Sequence, residues 1–268
     1  MAPKVQTICE MNNTLFVGNV FICLDKVDST NNYALNLLKN VPPPVEGTTI
    51  YALEQYAGRG QRGSEWAALP GENITTSVIL CPRHLLATQQ FVLSQLIALA
   101  VRNFVAERVG EGVKIKWPND IYYQNNKIGG ILIENTVSGN KLANSVVGIG
   151  INVNQTIFDP KLPNPSSLKK ITQQNYMVEE LAKQLYWHIE QQYLRLRTDN
   201  LALIRQHYLA ELYLYNEPAW FELTAYNNEI VQAKIVDVAE NGHLVLQFLD
   251  HNRAISNKFD IKEIKFLY

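Results

Sequence analysis

The sequence predicts an α+β protein with a central mixed β-sheet flanked by helices, followed by a small β-barrel. Up to Asn216, apolar runs typical of strands alternate irregularly with helical patterns, and a strand-rich block follows a long helix. After Asn216 only short strand patterns with turn signals follow. We therefore expect two domains, residues 1–215 and residues 216–268, since 268 residues allow this at about 100 to 200 residues per domain.

The first part of the chain contains two predicted strands and two predicted helices. Apolar residues predict strands over 16–24 and 75–80. A helix is expected over 30–40, with Ser29 or Thr30 as its N-cap. The clearest long helix covers 89–109, because apolar residues recur along it at helical spacing.

A strand-rich block follows, and then two more helices and the small β-domain. The predicted strands of the block are 113–116, 121–123, 127–134 and 145–152. The Asn125-Asn126 pair predicts a hairpin turn, because asparagine tolerates the left-handed backbone region. Helices are expected at 178–196 and 200–212. The second domain has predicted strands at 219–224, 229–240, 244–249 and 261–267, with a hairpin turn at Asn241-Gly242.

Composition and charge exclude several functional classes. The chain is 47% hydrophobic with a formal net charge of -1, which predicts a packed core and gives no reason to expect nucleic acid as a partner. The most apolar segment, 91–105, is interrupted by polar residues, whereas a membrane span needs about 20 apolar ones. No apolar signal segment follows Met1, and the 3 cysteines fit neither a disulfide framework nor a zinc site. We expect a cytoplasmic protein with no membrane partner.

The most informative segment is the glycine-arginine loop, residues 58–66, which follows the apolar run 48–53. Glycine lets an anion approach the backbone amides, and the guanidinium groups of Arg59 and Arg62 fit carboxylate and phosphate. The loop matches G-x-G-x-x-G, but no helix pattern and no acidic residue about 20 positions later support a dinucleotide-binding turn. No Lys-Ser or Lys-Thr pair supports a P-loop. A solvated turn with two surface arginines is the remaining alternative.

A second cluster surrounds the predicted strand 113–116 and the turn after it. Lys114 and Lys116 share one face of this strand, and Pro118 ends it, so Asn119-Asp120 presents an amide and a carboxylate at the strand end. Gly129-Gly130 removes side chains where a ligand could approach the next strand. Each feature also has an ordinary structural interpretation as a solvated strand residue, a turn carboxylate or a strand glycine.

Two further segments complete the pattern. The segment 28–32 has the composition of a helix cap, and the segment 147–154 that of a buried strand with two glycines and two asparagines. In this order, the four segments resemble the biotin protein ligase family over about half of the chain. The matching residues are 28–31, 58–63, 116–120 together with 127–134 in the second cluster, and 148–152.

The resemblance implies the fold that biotin and lipoate ligases share with class II aminoacyl-tRNA synthetases, with an SH3-like C-terminal barrel. It also implies a reaction in two steps. Biotin and ATP give biotinyl-5'-adenylate and pyrophosphate, and a lysine of a biotin carboxyl carrier protein domain then attacks the mixed anhydride. Mg²⁺ is expected with ATP because metal ions neutralise its phosphates. The alternatives are a lipoate or octanoate ligase, and a non-enzymatic biotin sensor or DNA-binding regulator.

The resemblance also implies roles for individual residues. Lys127, Arg59, Asp120 and Lys116 would be catalytic: Lys127 would touch the biotin carboxylate and the α-phosphate, and Arg59 would close over the adenylate. Asp120 would either orient Lys127 or deprotonate the acceptor lysine. Biotin and nucleotide would be bound by Ser29, Thr30, Asn31, Gln55, Gly58, Arg59, Gly60, Gln61, Arg62, Trp66, Asn119, Lys127, Gly129, Gly130, Leu132 and Asn152. No residue is expected to be a metal ligand.

Two departures from the family pattern bear on these expectations. Many relatives have arginine at the position of Gln61, and that side chain helps to retain the adenylate, so weaker retention is expected here. Fewer than thirty residues precede the 28–31 motif, too few for the helix-turn-helix domain of some relatives, so we expect a ligase without operator binding. The sequence leaves open whether the protein is a monomer or a homodimer.

Overall fold

The computed structural model describes residues 4–7, 14–250 and 256–267. Eight strands form the main sheet, in the order β1-β2-β3-β4-β8-β7-β6-β5. Their bounds are β1 Lys4–Thr7, β2 Val20–Val27, β3 Thr49–Gln55, β4 Asn73–Leu80, β5 Val113–Lys116, β6 Asp120–Tyr123, β7 Asn126–Ser138 and β8 Lys141–Asn152. Strands β2 and β3 run parallel and the other neighbouring pairs run antiparallel, so the predicted mixed sheet is confirmed.

The described part of the chain contains five α-helices beside the two sheets. They are α1 Thr30–Leu37, α2 Gln90–Val109, α3 Leu168–Thr172, α4 Val178–Leu194 and α5 Leu201–Ala210. Helix α2 begins within one residue of its predicted start and ends at Val109, where Gly110 adopts a positive φ and stops it. Helix α3 was not predicted. No helix within the described ranges is long and apolar enough to cross a membrane.

The main sheet is covered on both faces, because side chains alternate along its strands. Phe21 and Tyr51 belong to a large core cluster with α2 and α4, whereas their neighbours Ile22 and Ile50 belong to a smaller cluster beneath α1. Helix α1 is therefore the element that closes the opposite face of the sheet. This position brings its N-terminus, residues 29–31, next to β3 and β8.

The strand predicted over 16–24 begins later, at Val20. The backbone amides of Leu15, Phe16 and Val17 donate instead to the carboxylate of Glu190 at 2.7, 2.8 and 3.0 Å, and Gly18 then turns the chain at φ +86. The Glu190 side chain is fully buried. A buried charge is tolerated there because several N–H donors satisfy it.

A second sheet follows, which in the described residues has five antiparallel strands in the order β12-β11-β10-β9-β13. Its strands are β9 Pro218–Leu223, β10 Glu229–Val238, β11 Leu244–Phe248, β12 Lys258–Phe259 and β13 Ile264–Leu267. No pairing joins the edge strands β12 and β13 in the described residues, so hydrogen bonds do not close a barrel there. The arrangement is compatible with the expected SH3-like domain. The two-residue strand β12 was too short for sequence patterns to predict.

The two sheets share one apolar core. Phe221, Val231 and Leu246 of the second sheet belong to the same buried cluster as α2 and the main sheet. Trp117 Nε1 donates to the carbonyl of Gly242 at 2.8 Å, and this bond lies in the buried seam between the sheets. The second sheet is thus held against the end of β5. The domain boundary near Asn216 stays a prediction.

Candidate functional site

A cavity of about 190 Å³ opens in the main sheet beside the N-terminus of α1. Its walls come from β3, the glycine-arginine loop, β7 and β8, which are separated in sequence but neighbours in the sheet. It brings together most of the residues that the sequence predicted. These are Ser29, Thr30, Asn31, Gln55, Arg59, Gly60, Gln61, Trp66, Asn119, Asp120, Lys127, Gly130 and Leu132.

One end of the cavity is polar and neutral. The Thr30 amide and hydroxyl both donate to Gln55 Oε1, at 2.7 and 3.0 Å, and Ser77 Oγ lies 2.7 Å from the Thr30 hydroxyl. Ser29 occupies the N-cap position of α1 without using its side chain as a cap. These contacts fix a hydroxyl of Thr30 and the amide of Gln55 beside the Ser29 hydroxyl. Such a set recognises a neutral group that both donates and accepts hydrogen bonds.

The middle of the cavity is lined by the indole of Trp66, which lies against strand glycines. A Cβ atom on Gly150 would overlap Trp66 Cε2, and a Cβ on Gly130 would lie 3.4 Å from Trp66 Cζ3. Glycine at these positions makes room for the ring. The result is an apolar slot between the polar end and the charged end.

The charged end contains an ion pair between neighbouring strands. Lys127 Nζ lies 2.7 Å from Asp120 Oδ1, with side chains 33% and 22% exposed, and 6.0 Å from the centre of the Trp66 ring. The segment 164–166 fixes the backbone of Lys127. The Lys127 amide donates to the Asn164 carbonyl, and the Lys127 carbonyl accepts from the Ser166 amide. A cation is thereby held at the end of the apolar slot.

The glycine-arginine loop folds back on itself beside this end. Gly60 N donates to the Ser64 carbonyl at 2.7 Å and Trp66 N donates to the Gly58 carbonyl at 2.9 Å. A side chain at Gly58 would overlap the Trp66 carbonyl, so this position requires glycine. Arg62 has φ +54, a left-handed conformation that is uncommon outside glycine.

The two arginines of the loop point in different directions. Arg59 lines the cavity and forms an ion pair with Glu134 of β7. Arg62 forms an ion pair with Asp260 of the second sheet, and the hydrogen bond from Arg62 lowers the pKa of that carboxyl. The loop is therefore tied to both sheets by its arginines.

A second cavity of about 310 Å³ lies beside the first, between the loop, α2 and the second sheet. Gln61 and Asn119 line both cavities, and so does Ile261 of the second sheet. Arg62, Trp117 and His243 line the second cavity but not the first. The two cavities share walls, so together they suit a ligand with two parts that meet near Gln61 and Asn119.

Several predicted residues lie outside the first cavity. Lys116 Nζ lies 3.2 Å from the Tyr122 hydroxyl and 4.9 Å from the Phe266 ring centre, between the sheets. Asn152 is buried, and its side chain donates to the Ser166 carbonyl at 2.9 Å, which supports the segment that holds Lys127. Gly129 lies against the backbone of β8, and Gly58 lines an outer groove behind the loop.

The cavity also contains residues that were not singled out from the sequence. Thr76 projects from the fully buried strand β4, and its hydroxyl lies 2.8 Å from the Tyr186 hydroxyl, whose pKa burial raises. The polar run Thr75-Thr76-Ser77 within a fully buried strand was the available signal. Gly148 and Gly150 belong to the 148–152 motif, but the sequence did not predict that they line the cavity. Ile261 could not be predicted, because the second sheet brings it in.

The acidic residues of the site do not form an evident metal centre. Within residues 14–250 and 256–267, no group of three or more His, Cys, Asp or Glu side chains is placed to hold an ion. Asp120 is already paired with Lys127.

The sequence is similar to those of known proteins. Residues 23–152 match the sequence profile of the Biotin/lipoate A/B protein ligase family. The chain is 34% identical to the biotin--[acetyl-CoA-carboxylase] ligase of Paracoccus denitrificans over 203 residues, 73% of this chain and 82% of that protein. It is 38% identical to the bifunctional ligase/repressor BirA of Bacillus subtilis over 161 residues, but it spans only 46% of that protein's length.

Solved structures show the same fold. The biotin protein ligase from Aquifex aeolicus, determined in complex with biotin and ATP, superposes with a TM-score of 0.68 at 24% identity. The match covers 92% of this chain and 94% of the Aquifex chain. Because it matches the Paracoccus ligase at 34% identity over 82% of that protein, the chain belongs to the biotin protein ligases of the biotin/lipoate A/B protein ligase family.

Proposed function

We propose that the protein is an ATP-dependent biotin protein ligase. It condenses biotin with ATP to biotinyl-5'-adenylate, releasing pyrophosphate, and transfers the biotinyl group to a lysine of a biotin carboxyl carrier protein domain. The single observation that carries the proposal is the order of environments along the first cavity. A neutral polar end, an apolar slot and a lysine follow one another, as a ureido ring, a carbon chain and a carboxylate do in biotin.

Ser29, Thr30 and Gln55 would bind the ureido ring, which both donates and accepts hydrogen bonds. This argues for biotin over lipoate or octanoate, because neither alternative has a neutral hydrogen-bonding head. An alkyl chain or a dithiolane at this end would displace water from these polar groups without offering them hydrogen bonds, and each buried group that is left unpaired costs about 1–3 kcal/mol. Trp66 and Leu132 would cover the apolar part of the ligand.

Lys127 would meet the biotin carboxylate and the α-phosphate where the two cavities join. Bringing two anions together requires fixed positive charge, and a preorganised cation supplies it without reorganisation during the reaction. Asp120, 2.7 Å from the ammonium, would orient it. Arg59 would cover the adenylate from the loop side. Its ion pair with Glu134 keeps its guanidinium at the rim of the cavity.

The nucleotide would occupy the second cavity, with Asn119, Gln61 and Arg62 on its walls. Mg²⁺ is proposed on the chemistry of ATP alone, since the described residues offer no ligand cluster for it. Lys116 would act at longer range, through the positive potential near the seam between the sheets. We place the reaction in the cytoplasm, and we assign residues 1–215 to catalysis and residues 216–268 to a supporting domain.

Transfer to a carrier domain tests the complete reaction. The protein is incubated with MgATP, a biotin carboxyl carrier domain and equal concentrations of biotin and lipoate, and the carrier is analysed by intact mass spectrometry. We expect biotinylated carrier, and no modification when the acceptor lysine is replaced by arginine. Lipoylation in preference to biotinylation would contradict the assignment.

A further inference from the structure

Asn31 lies in the cavity wall, but its side chain is fully engaged by the protein. Its Nδ2 donates to Glu134 Oε2 at 2.8 Å and to the Leu132 carbonyl at 3.3 Å, and its Oδ1 accepts from Ser77 Oγ at 2.6 Å. The residue is 3% exposed, and a Cβ on Gly148 would overlap its Oδ1. An amide has only two N–H donors, so none remains for a ligand.

Glu134 receives two contacts on one oxygen. Its Oε2 accepts from Asn31 Nδ2, and the same oxygen forms the ion pair with Arg59 Nη2. Glu134 belongs to β7 and lines the outer groove behind the loop but not the first cavity, whereas Arg59 lines both. Ser77, Asn31, Glu134 and Arg59 thus form a continuous chain of contacts from the buried strand β4 to the cavity rim.

We propose that Glu134 is a positioning residue that holds Arg59 at the cavity, and that Asn31 serves this chain instead of binding the ligand ring. The inference rests on the proposed function, because it concerns the same site. An arginine side chain on a loop loses considerable conformational entropy when it is fixed. Glu134 fixes one edge of the guanidinium before substrate arrives. The planar fork of Arg59 has further N–H donors that can reach an anion in the cavity.

Asn31 in turn holds the carboxylate of Glu134 in position. A carboxylate that is 28% exposed can rotate toward solvent, and the 2.8 Å bond from the buried Asn31 amide holds it over the loop. The helix motif 28–31 then has two separate tasks. Ser29 and Thr30 face the ligand, and Asn31 sets the position of the arginine on the opposite wall.

The test is a double-mutant cycle with biotin-dependent ATP–pyrophosphate exchange and the release rate of biotinyl-adenylate as readouts. Glu134→Gln keeps the shape and an oxygen for Asn31 but removes the charge that holds Arg59. We expect about five-fold slower exchange and faster release, the scale of a partly exposed ion pair. In an Arg59→Ala background the same change should have no further effect. Glu54→Gln, at the surface ion pair with Lys26, is the matched control and should behave as wild type.

The inference would be overturned if Glu134→Gln caused an equal further loss of exchange in the Arg59→Ala background. It would also be overturned if the single variant left exchange and release unchanged. Glu134→Asp retains the charge with a shorter reach and provides a second variant if Glu134→Gln does not fold; it should give a smaller loss that also disappears without Arg59. If wild-type protein shows no biotin-dependent exchange, the proposed function itself fails.

Discussion

Lys127 Nζ lies 2.7 Å from Asp120 Oδ1, and the two residues come from neighbouring strands of the main sheet. Asp120 pairs in register with Gly130, and a bulge between Ile121 and Tyr122 shifts the pairing before Lys127 is reached. The bulge and the missing side chain of Gly130 let the lysine extend along the cavity floor to the carboxylate. The geometry favours an orienting role for Asp120 over a role as the base that deprotonates the acceptor.

Exchange assays separate these two roles, because ATP–pyrophosphate exchange needs no acceptor lysine. If Asp120 orients Lys127, Asp120→Asn should slow exchange as well as transfer. Lys127→Ala should reduce exchange by about 10² to 10³, the usual effect of removing a preorganised charge donor. Lys114→Ala, which removes a lysine paired with Glu211 away from the cavity, is the control and should leave exchange unchanged. Normal exchange with impaired transfer in Asp120→Asn would instead make Asp120 the base.

Substituting the glycines beneath Trp66 should give graded effects. Gly150→Ala places a Cβ that overlaps Trp66 Cε2, so the indole should be displaced. Because an overpacked slot is strained, we expect biotin affinity to fall by about ten-fold or more. Gly130→Ala creates only a 3.4 Å contact and should have a smaller effect. Isothermal titration with biotin measures both. Equal affinities for the two variants would show that the indole does not form the wall.

Sequence patterns predicted most helices and strands, because the apolar spacing and the end signals of these elements lie within their own residues. Helix α2 carries a continuous apolar pattern and ends at a glycine, so both of its ends were within one residue of expectation. The strand predicted over 16–24 begins only at Val20, and the reason is a tertiary contact. Its amides bind Glu190, 173 to 175 residues away along the chain, and no local pattern could reveal this.

The same distinction applies to the site. Short motifs identified Thr30, Asp120 and Lys127, because each motif forms one piece of the cavity. The role of Lys116 stays a prediction, since strand alternation places this lysine on a face that the second sheet covers. The engagement of Asn31 by Glu134 depends on pairing between distant strands, and so it appears only in the folded protein.

Gln61 lies where both cavities meet, so an arginine there should retain the intermediate better. A charge-assisted hydrogen bond exceeds a neutral one by about 1 kcal/mol, or several-fold in residence time. Gln61→Arg should slow the loss of labelled biotinyl-adenylate during a chase with unlabelled biotin, and should reduce labelling of bystander lysines. Indistinguishable release rates would show that Arg59, Arg62 and the loop amides retain the adenylate without this position.

His188 should make stability fall in mild acid. Burial lowers its pKa below the ordinary 6.5, and Glu107 at 3.1 Å opposes this only in part. Above pH 6.5 the histidine is neutral in both states. Below it the unfolded chain binds a proton before the folded protein does, so the free energy of unfolding decreases as the pH falls toward the lower pKa.

Urea unfolding at several pH values between 5 and 8 tests this expectation, with about 6.5 as the upper limit of the affected window. His188→Gln should flatten that part of the profile, whereas His84→Gln, at an exposed position, should not change it. A profile in His188→Gln that matches wild type would assign the acid sensitivity to other groups.

The measurement that tests the central claim most directly is ATP–pyrophosphate exchange with biotin, lipoate and octanoate supplied separately, with and without Mg²⁺. The account predicts exchange that depends on biotin and Mg²⁺, because only biotin carries a head group that satisfies Ser29, Thr30 and Gln55. Equal or greater exchange with lipoate or octanoate would contradict it.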